Sequence, residues 1–170
     1  MTRSVSGIVA GFLVAVLLSG CLGYRVGAVG ERRYQSIAVP MFRNKTVTPQ
    51  VEPRITNAII KRLQADGTLL VQSRATADAV LFGTVTKYDR MLIRGATTDT
   101  GVPREYRLVM TVVVEVLDQR SGEHILKPTT IEGTAEAFIG TDLQSADDQA
   151  LPLLADDIAR QVAGLLTENW

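Results

Sequence analysis

The sequence predicts an α+β fold, a largely antiparallel sheet with two amphipathic helices packed on one face. Three observations carry that expectation. Apolar residues alternate with period two along several stretches, and two further stretches repeat near 3.6 residues with only one apolar side. Hairpin-length turns join the later strands, which favours antiparallel neighbours. The expected order is β-α-β-β-β-β-α.

The first strand is expected over Ser36 to Phe42, where Ile37, Val39 and Met41 share one phase and the polar Arg43-Asn44-Lys45-Thr46 follows. Pro40 has no N–H, so it restricts this strand to a sheet edge or to its last ladder bond. A helix is expected from about Glu52 to Asp66. Ile55, Ile59 and Leu63 recur every four residues beside Ala58, Pro53 fits only the first turn, and Gly67 is placed to end the helix.

Thr68 to Gln72 is a short strand candidate, and Ala79 to Tyr88 a better one. In the latter Val80, Phe82, Thr84 and Tyr88 alternate with Leu81, Val85 and Lys87, and Gly83 marks a close backbone approach. The strongest strand signal is Glu105 to Leu117. Tyr106, Leu108, Met110, Val112, Val114 and Val116 form one apolar face, while the other mixes Glu105, Arg107, Thr111 and Glu115 with Val109, Val113 and Leu117. Asp118 to Gly122 reads as a turn, and Thr130 to Phe138 as a last strand with Glu132 and Glu136 on its wet side.

A second helix is expected from Ser145, as cap, to about Thr167. Asp147 and Asp148 would sit near the positive end of its dipole, and Leu151, Leu154, Ala155, Ile158, Val162 and Leu165 would form its stripe. Pro152 either starts the helix proper near Leu151 or kinks it. The less apolar sheet face is left to meet a partner.

Ahead of the fold, residues 1–20 read as an export signal: Arg3, then a charge-free apolar run from Ile8 to Leu18. That run is short of the roughly 20 residues that cross a bilayer. Leu18-Ser19-Gly20-Cys21 resembles a bacterial lipobox at all four positions, and the resemblance implies that Cys21 becomes the acylated first residue, anchored in membrane lipid. Leu22 follows it, where many lipoproteins retained on the inner membrane carry aspartate; by that analogy the outer membrane is expected. Residues 21–34 would be the lipidated cysteine and a short tether containing three glycines, and 35–170 a single domain, which at this size buries roughly 68–70% of its unfolded surface.

The precursor carries 18 basic and 18 acidic residues, and loss of Arg3 with the signal leaves 17 against 18. Such a chain has no net basic field for nucleic acid. Cys21 is the only cysteine, so no disulfide is available and the domain must be held by its core.

Taken together, Cys21 to Arg25, Ile37 to Thr46, the helix Ile55 to Leu63, Ala77 to Val85, Glu105 to Leu108 and the turn from Asp118 resemble the LptE family of lipopolysaccharide-assembly lipoproteins. The resemblance implies a non-enzymatic protein without cofactor that plugs the lumen of the large lipopolysaccharide-transport β-barrel, assists its assembly and binds lipopolysaccharide. Activators of peptidoglycan synthases and secretion-channel subunits begin with a similar strand and helix. An activator reaching across the periplasm needs a long disordered tether, which Gly23 to Tyr34 does not supply.

Catalytic patterns are absent from the sequence. His124, the one histidine, sits beside a turn with no nucleophile motif, and Ser36, Ser73, Ser121 and Ser145 lie in no Gly-x-Ser-x-Gly elbow. Asp147-Asp148 and Asp156-Asp157 lack the spacing of a calcium loop and read as helix start and solvated surface. The polar group that stands out is Arg90, Arg94, Arg104 and Arg107, which flank the loop Gly95 to Pro103 with Met91, Leu92 and Ile93 close by. If the flanking strands pair, all four come to one end of the sheet. Guanidinium groups bind phosphate in a bidentate manner, so this end is a candidate contact for lipopolysaccharide or the barrel; solubilising charge at a hairpin would give the same pattern.

Overall fold

The computed structural model describes residues 34–94, 104–139 and 143–168. In chain order it contains β1 (Ser36–Ala38), β2 (Arg43–Asn44), α1 (Val51–Asp66), β3 (Leu70–Val71), β4 (Ala79–Arg94), β5 (Arg104–Asp118), β6 (His124–Ile139) and α2 (Leu143–Glu168). The strand order is β3-β1-β4-β5-β6, with β2 also on β4. The short strands pair in parallel and the three long ones antiparallel, so the α+β class and the largely antiparallel sheet stand.

Helix α1 forms because Val51, Ile55, Ile59 and Leu63 make one buried stripe, each such side chain contributing about 1.5–3 kcal/mol. Gly67 ends it at φ 69°, donating its N–H to the Leu63 carbonyl. The buried stripe of α2 is Leu151, Leu154, Ile158, Val162 and Leu166, with Leu166 rather than Leu165 as its last member. Arg54 in the first turn of α1 meets Asp148 near the start of α2 at 3.5 Å, so the helices run side by side in one direction. Against them lie Leu108, Met110, Val112, Val114 and Val116 of β5, Ala79, Leu81 and Val85 of β4, and Ile131, Ala135 and Ala137 of β6.

Two glycines permit this packing. A Cβ at Gly83 would overlap the ring of Phe42, and one at Gly133 would overlap Cγ1 of Ile158. The first strand departs from its expected length for the same reason. Pro40 cannot donate to a ladder, and Phe42 turns its N–H to Thr56 Oγ1 (3.1 Å) while its ring covers Gly83. The stretch therefore splits into β1 and β2.

Other boundaries shift as well. β3 keeps only two of its five expected residues. β4 continues past Tyr88 to Arg94, because β5 offers partners as far as Glu105. An extra residue at Thr86 shifts the register, which brings Tyr88 onto the helix-covered side with Leu81 and Val85 and turns Lys87 to the side of Phe82 and Thr84. β6 begins at His124, tolerating Pro128 where its pairing with β5 slips between Val114 and Val116. α2 starts at Leu143, so Ser145 lies inside it, and Pro152 is within the helix.

At the end where Tyr34 enters the fold, polar groups around the buried Ser36 knot the chain. Asp78 accepts from the Gln35 N–H (3.2 Å), the Ser36 N–H (3.1 Å) and the Ser36 hydroxyl (2.8 Å), and Ser36 Oγ accepts the Asp78 N–H at 2.9 Å. Gln119 Nε2 donates to the carbonyls of Arg74 and Ala77 at 2.6 and 2.7 Å. Along the sheet margin, α2 covers part of the β6 edge: the Thr134 N–H donates to Asp157 (3.1 Å), and the Glu132 carbonyl accepts from Gln161 (2.9 Å). Those contacts satisfy backbone groups that would otherwise invite another strand.

Candidate functional site

The opposite end of the sheet is built by the far halves of β4, β5 and β6 and the start of α2. Antiparallel register sets Met91 opposite Arg107 and Arg107 opposite Glu136; one step outward, Arg94 faces Glu105 and Glu105 faces Phe138. Because successive side chains alternate across a strand, Met91, Arg107, Glu136 and Phe138 share the face away from the helices, while Leu92 and Tyr106 lie on the helix side. A second register shift at Ile93 closes the arm.

Four large apolar side chains stand open within this end, whereas those exposed elsewhere among the described residues, such as Met41, Val47 and Leu153, are scattered. Met91 is 54% exposed, Leu92 49%, Ile93 37% and Phe138 66%. Met91 and Phe138 stand open on the face away from the helices and Leu92 on the helix side, so exposed apolar side chains gather on both faces of this end, as they do where a partner is met. Sequence reading named Met91, Leu92 and Ile93 but missed Phe138, which lies more than thirty residues on and joins them only through two strand pairings.

The arginines come to this end as expected, but they are not equivalent. Arg90 Nε donates to Asp147 Oδ1 at 3.1 Å and its Nη2 to Oδ2, a two-pronged pair with a carboxylate that is only 8% exposed. That hydrogen bond holds the Arg90 guanidinium still more firmly protonated than usual. Its guanidinium carbon also lies 5.6 Å from the centre of the Tyr88 ring, whose phenol is pushed up chiefly by burial and next by the charge of Asp147. Arg107 donates to Glu136 at 3.0 Å across the β5–β6 pair. Arg94 ends β4 and Arg104 begins β5, opposite Glu105 and Ile139.

Asp147 therefore does something different from what its place in the sequence implied. It fixes the start of α2 to the β4 arm across 57 residues of chain, a separation over which no local pattern could have shown the pair. Cys21 and the loop Gly95 to Pro103 lie outside the described residues. His124 sits at the other end, 3.6 Å from Glu115, and takes no part. Among the described residues no cluster of three metal-ligating side chains occurs, and no helix is long and apolar enough to cross a membrane.

A family model described as LptE, lipopolysaccharide-assembly, matches residues 34–163. Among solved structures, a minor lipoprotein of Acinetobacter baumannii aligns with a TM-score of 0.53 at 17% identity, covering 79% of this chain and 94% of that one. A protein of Xanthomonas campestris aligns at 0.55 and 10% identity, covering 82% and 90%. A putative lipoprotein of Caulobacter crescentus aligns at 0.50 and 12% identity, covering 75% and 89%. At these identities the likeness concerns the fold. No curated protein matches.

Proposed function

Because this chain belongs to the LptE family of lipopolysaccharide-assembly proteins, we propose that it is an outer-membrane lipoprotein, acylated at Cys21, that binds the lipopolysaccharide-transport β-barrel and helps it assemble. The family match over residues 34–163 is the observation that carries this reading. In it the protein works by contact and not by catalysis, as a plug within the barrel on the periplasmic side. The exposed apolar side chains of Met91, Leu92, Ile93 and Phe138 at this end of the sheet support a docking role, since burying them against a partner removes their surface from water.

Lipopolysaccharide contact at the same end falls to Arg94 and Arg104. Arg90 and Arg107 already hold carboxylates, so a phosphate would have to displace Asp147 or Glu136 to reach them. Co-purification from detergent-solubilised outer membrane tests the main reading, which expects a stoichiometric large barrel with the lipoprotein. Recovery of the lipoprotein alone would refute it. For the arginines, the double variant Arg94→Ala with Arg104→Ala is expected to bind purified lipopolysaccharide about tenfold more weakly, and unchanged affinity would remove them from the site. Maturation that is insensitive to globomycin would remove the acyl anchor.

A further inference from the structure

Between the two helices, on the side away from the sheet, lies a cleft of about 440 Å³ lined by Arg54, Ala58, Lys61, Arg62 and Ala65 of α1 and by Pro152, Ala155 and Asp156 of α2. It exists because small residues meet where the helices face one another: Ala58, Ala65, Ala155 and the ring of Pro152 leave the interhelical groove unfilled. The floor is apolar and the α1 rim is cationic. A volume of this order suits a small headgroup with part of its glycerol, since ligand sites run roughly 300–1,000 Å³.

The charges of the cleft do not cancel. Asp156 is engaged by Arg160 of its own helix, and Arg54 is shared with Asp148 at 3.5 Å. Asp66, the acid next along α1, is turned to Thr68, accepting its N–H at 3.3 Å and its hydroxyl. The Lys61 and Arg62 side chains are exposed and make no hydrogen bond or ion pair among the described residues. Two free cations over an apolar trough match an amphiphile with an anionic head.

The position of the cleft names the source of that amphiphile. The Leu70 N–H donates to the Gln35 carbonyl at 3.0 Å, so the chain enters the domain four residues past the end of α1, at the end of the helix that carries Lys61 and Arg62. The tether expected between Cys21 and Tyr34 reaches at most about 45 Å when extended, and its sequence carries Arg25, Arg32 and Arg33 against Glu31. We propose that the α1–α2 cleft binds the phosphate headgroup of an anionic glycerophospholipid of the bilayer that carries the anchor, Arg54, Lys61 and Arg62 holding the phosphate and the alanine floor taking the glycerol. The acyl chains of such an anchor hold the protein at the bilayer without setting how the domain is turned, and a second, electrostatic contact fixes its orientation. The proposal rests on acylation of Cys21.

Hydrogen exchange on the full acylated chain tests it, in nanodiscs of phosphatidylcholine alone and of phosphatidylcholine with phosphatidylglycerol. Protection of the α1 amides over residues 54–65 is expected to rise only with phosphatidylglycerol and to fall with added salt. Removing one cation, Lys61→Gln or Arg62→Gln, is expected to weaken that response about fivefold. A soluble arm uses dihexanoyl phosphatidylglycerol below its micellar concentration, with the choline analogue and inorganic phosphate as controls. Protection by the short-chain glycerol lipid alone upholds the cleft even if the chain fails to co-elute with discs, a failure that would count against the anchor. Equal protection in all compositions, protection that grows with protein concentration, as a second copy in the cleft would give, or an equal response to inorganic phosphate would overturn it.

Discussion

The two ends of the sheet are made of the same long strands and use their surfaces in opposite ways. Where Tyr34 enters, polar side chains are spent on the chain itself: one Asp78 oxygen takes three donors, and Asp118 Oδ1 accepts the N–H groups of Arg120 and Ser121 at 2.7 and 2.9 Å. At the far end the charges are paired too, through Arg90 with Asp147 and Arg107 with Glu136, but Met91, Leu92, Ile93 and Phe138 are left in water. Apolar area left exposed contributes little to folding of the isolated chain, and burying it stabilises a complex. The entry end exposes Leu70 singly, at 61%, whereas the far end gathers four such side chains and is the surface proposed to meet a partner.

The most severe way to break this contrast is to overfill the entry half. Gly83→Val puts branched carbons into the Phe42 ring, with the backbone of β4 on one side and Thr56 holding Phe42 on the other. Overpacking of this kind costs about 3 kcal/mol or more, read as a lower urea midpoint at unchanged slope. Replacing Met91, Ile93 and Phe138 together by Ser is expected to cost no more than about 1.5 kcal/mol, about 0.5 for each surface position. The same triple variant should lower recovery of the barrel partner about tenfold. A variant that unfolds but still recovers its partner would reverse the roles assigned to the two ends.

What could be read in advance follows the same division. The stripes of α1 and α2, the buried face of β5 and the close approach at Gly83 were legible because each depends on residues within a few positions of one another. Thr86 was not, since a register shift is fixed by which partner β5 offers, and it reversed the facing of Lys87 and Tyr88. The Ser36 to Phe42 strand failed because Phe42 had a better place over Gly83 than in a ladder. The arginines were found by composition and brought together as expected, but their carboxylate partners were invisible: Asp147 read as a helix-start acid, and Glu136 as the wet side of a strand. Residue type marks a candidate contact; only the fold tells which contacts are already taken.

Finer tests address those taken contacts. Arg90→Ala leaves Asp147, buried to 8% exposure, without its cation. The loss is expected near 1 kcal/mol, below that of a fully buried pair because the Arg90 side chain is 38% exposed. Arg90→Lys should recover only part of it, since an ammonium cannot make the two-pronged contact. Equal stability of both variants and the parent would show that the start of α2 is held by its apolar stripe alone.

The smallest effect belongs to Asp78, and its pH dependence separates a structural knot from an incidental one. The Ser36 hydroxyl first, then the Gln35 N–H, hold its carboxyl below the ordinary range, with the Ser36 N–H and Arg120 adding to the shift. A carboxylate depressed in the folded state stabilises the fold above its unfolded pKa of about 3.9 and loses that contribution as pH falls through the folded value. Asp78→Asn should therefore unfold at lower temperature than the parent at pH 7, and the gap should close as pH falls below about 4. Asn keeps one acceptor oxygen but carries no charge, so the closing gap reports the charge-assisted part of the three hydrogen bonds. A gap that stayed constant down to pH 2.5 would mean that shape, and not charge, ties β1 to the start of β4 at the end where the chain enters.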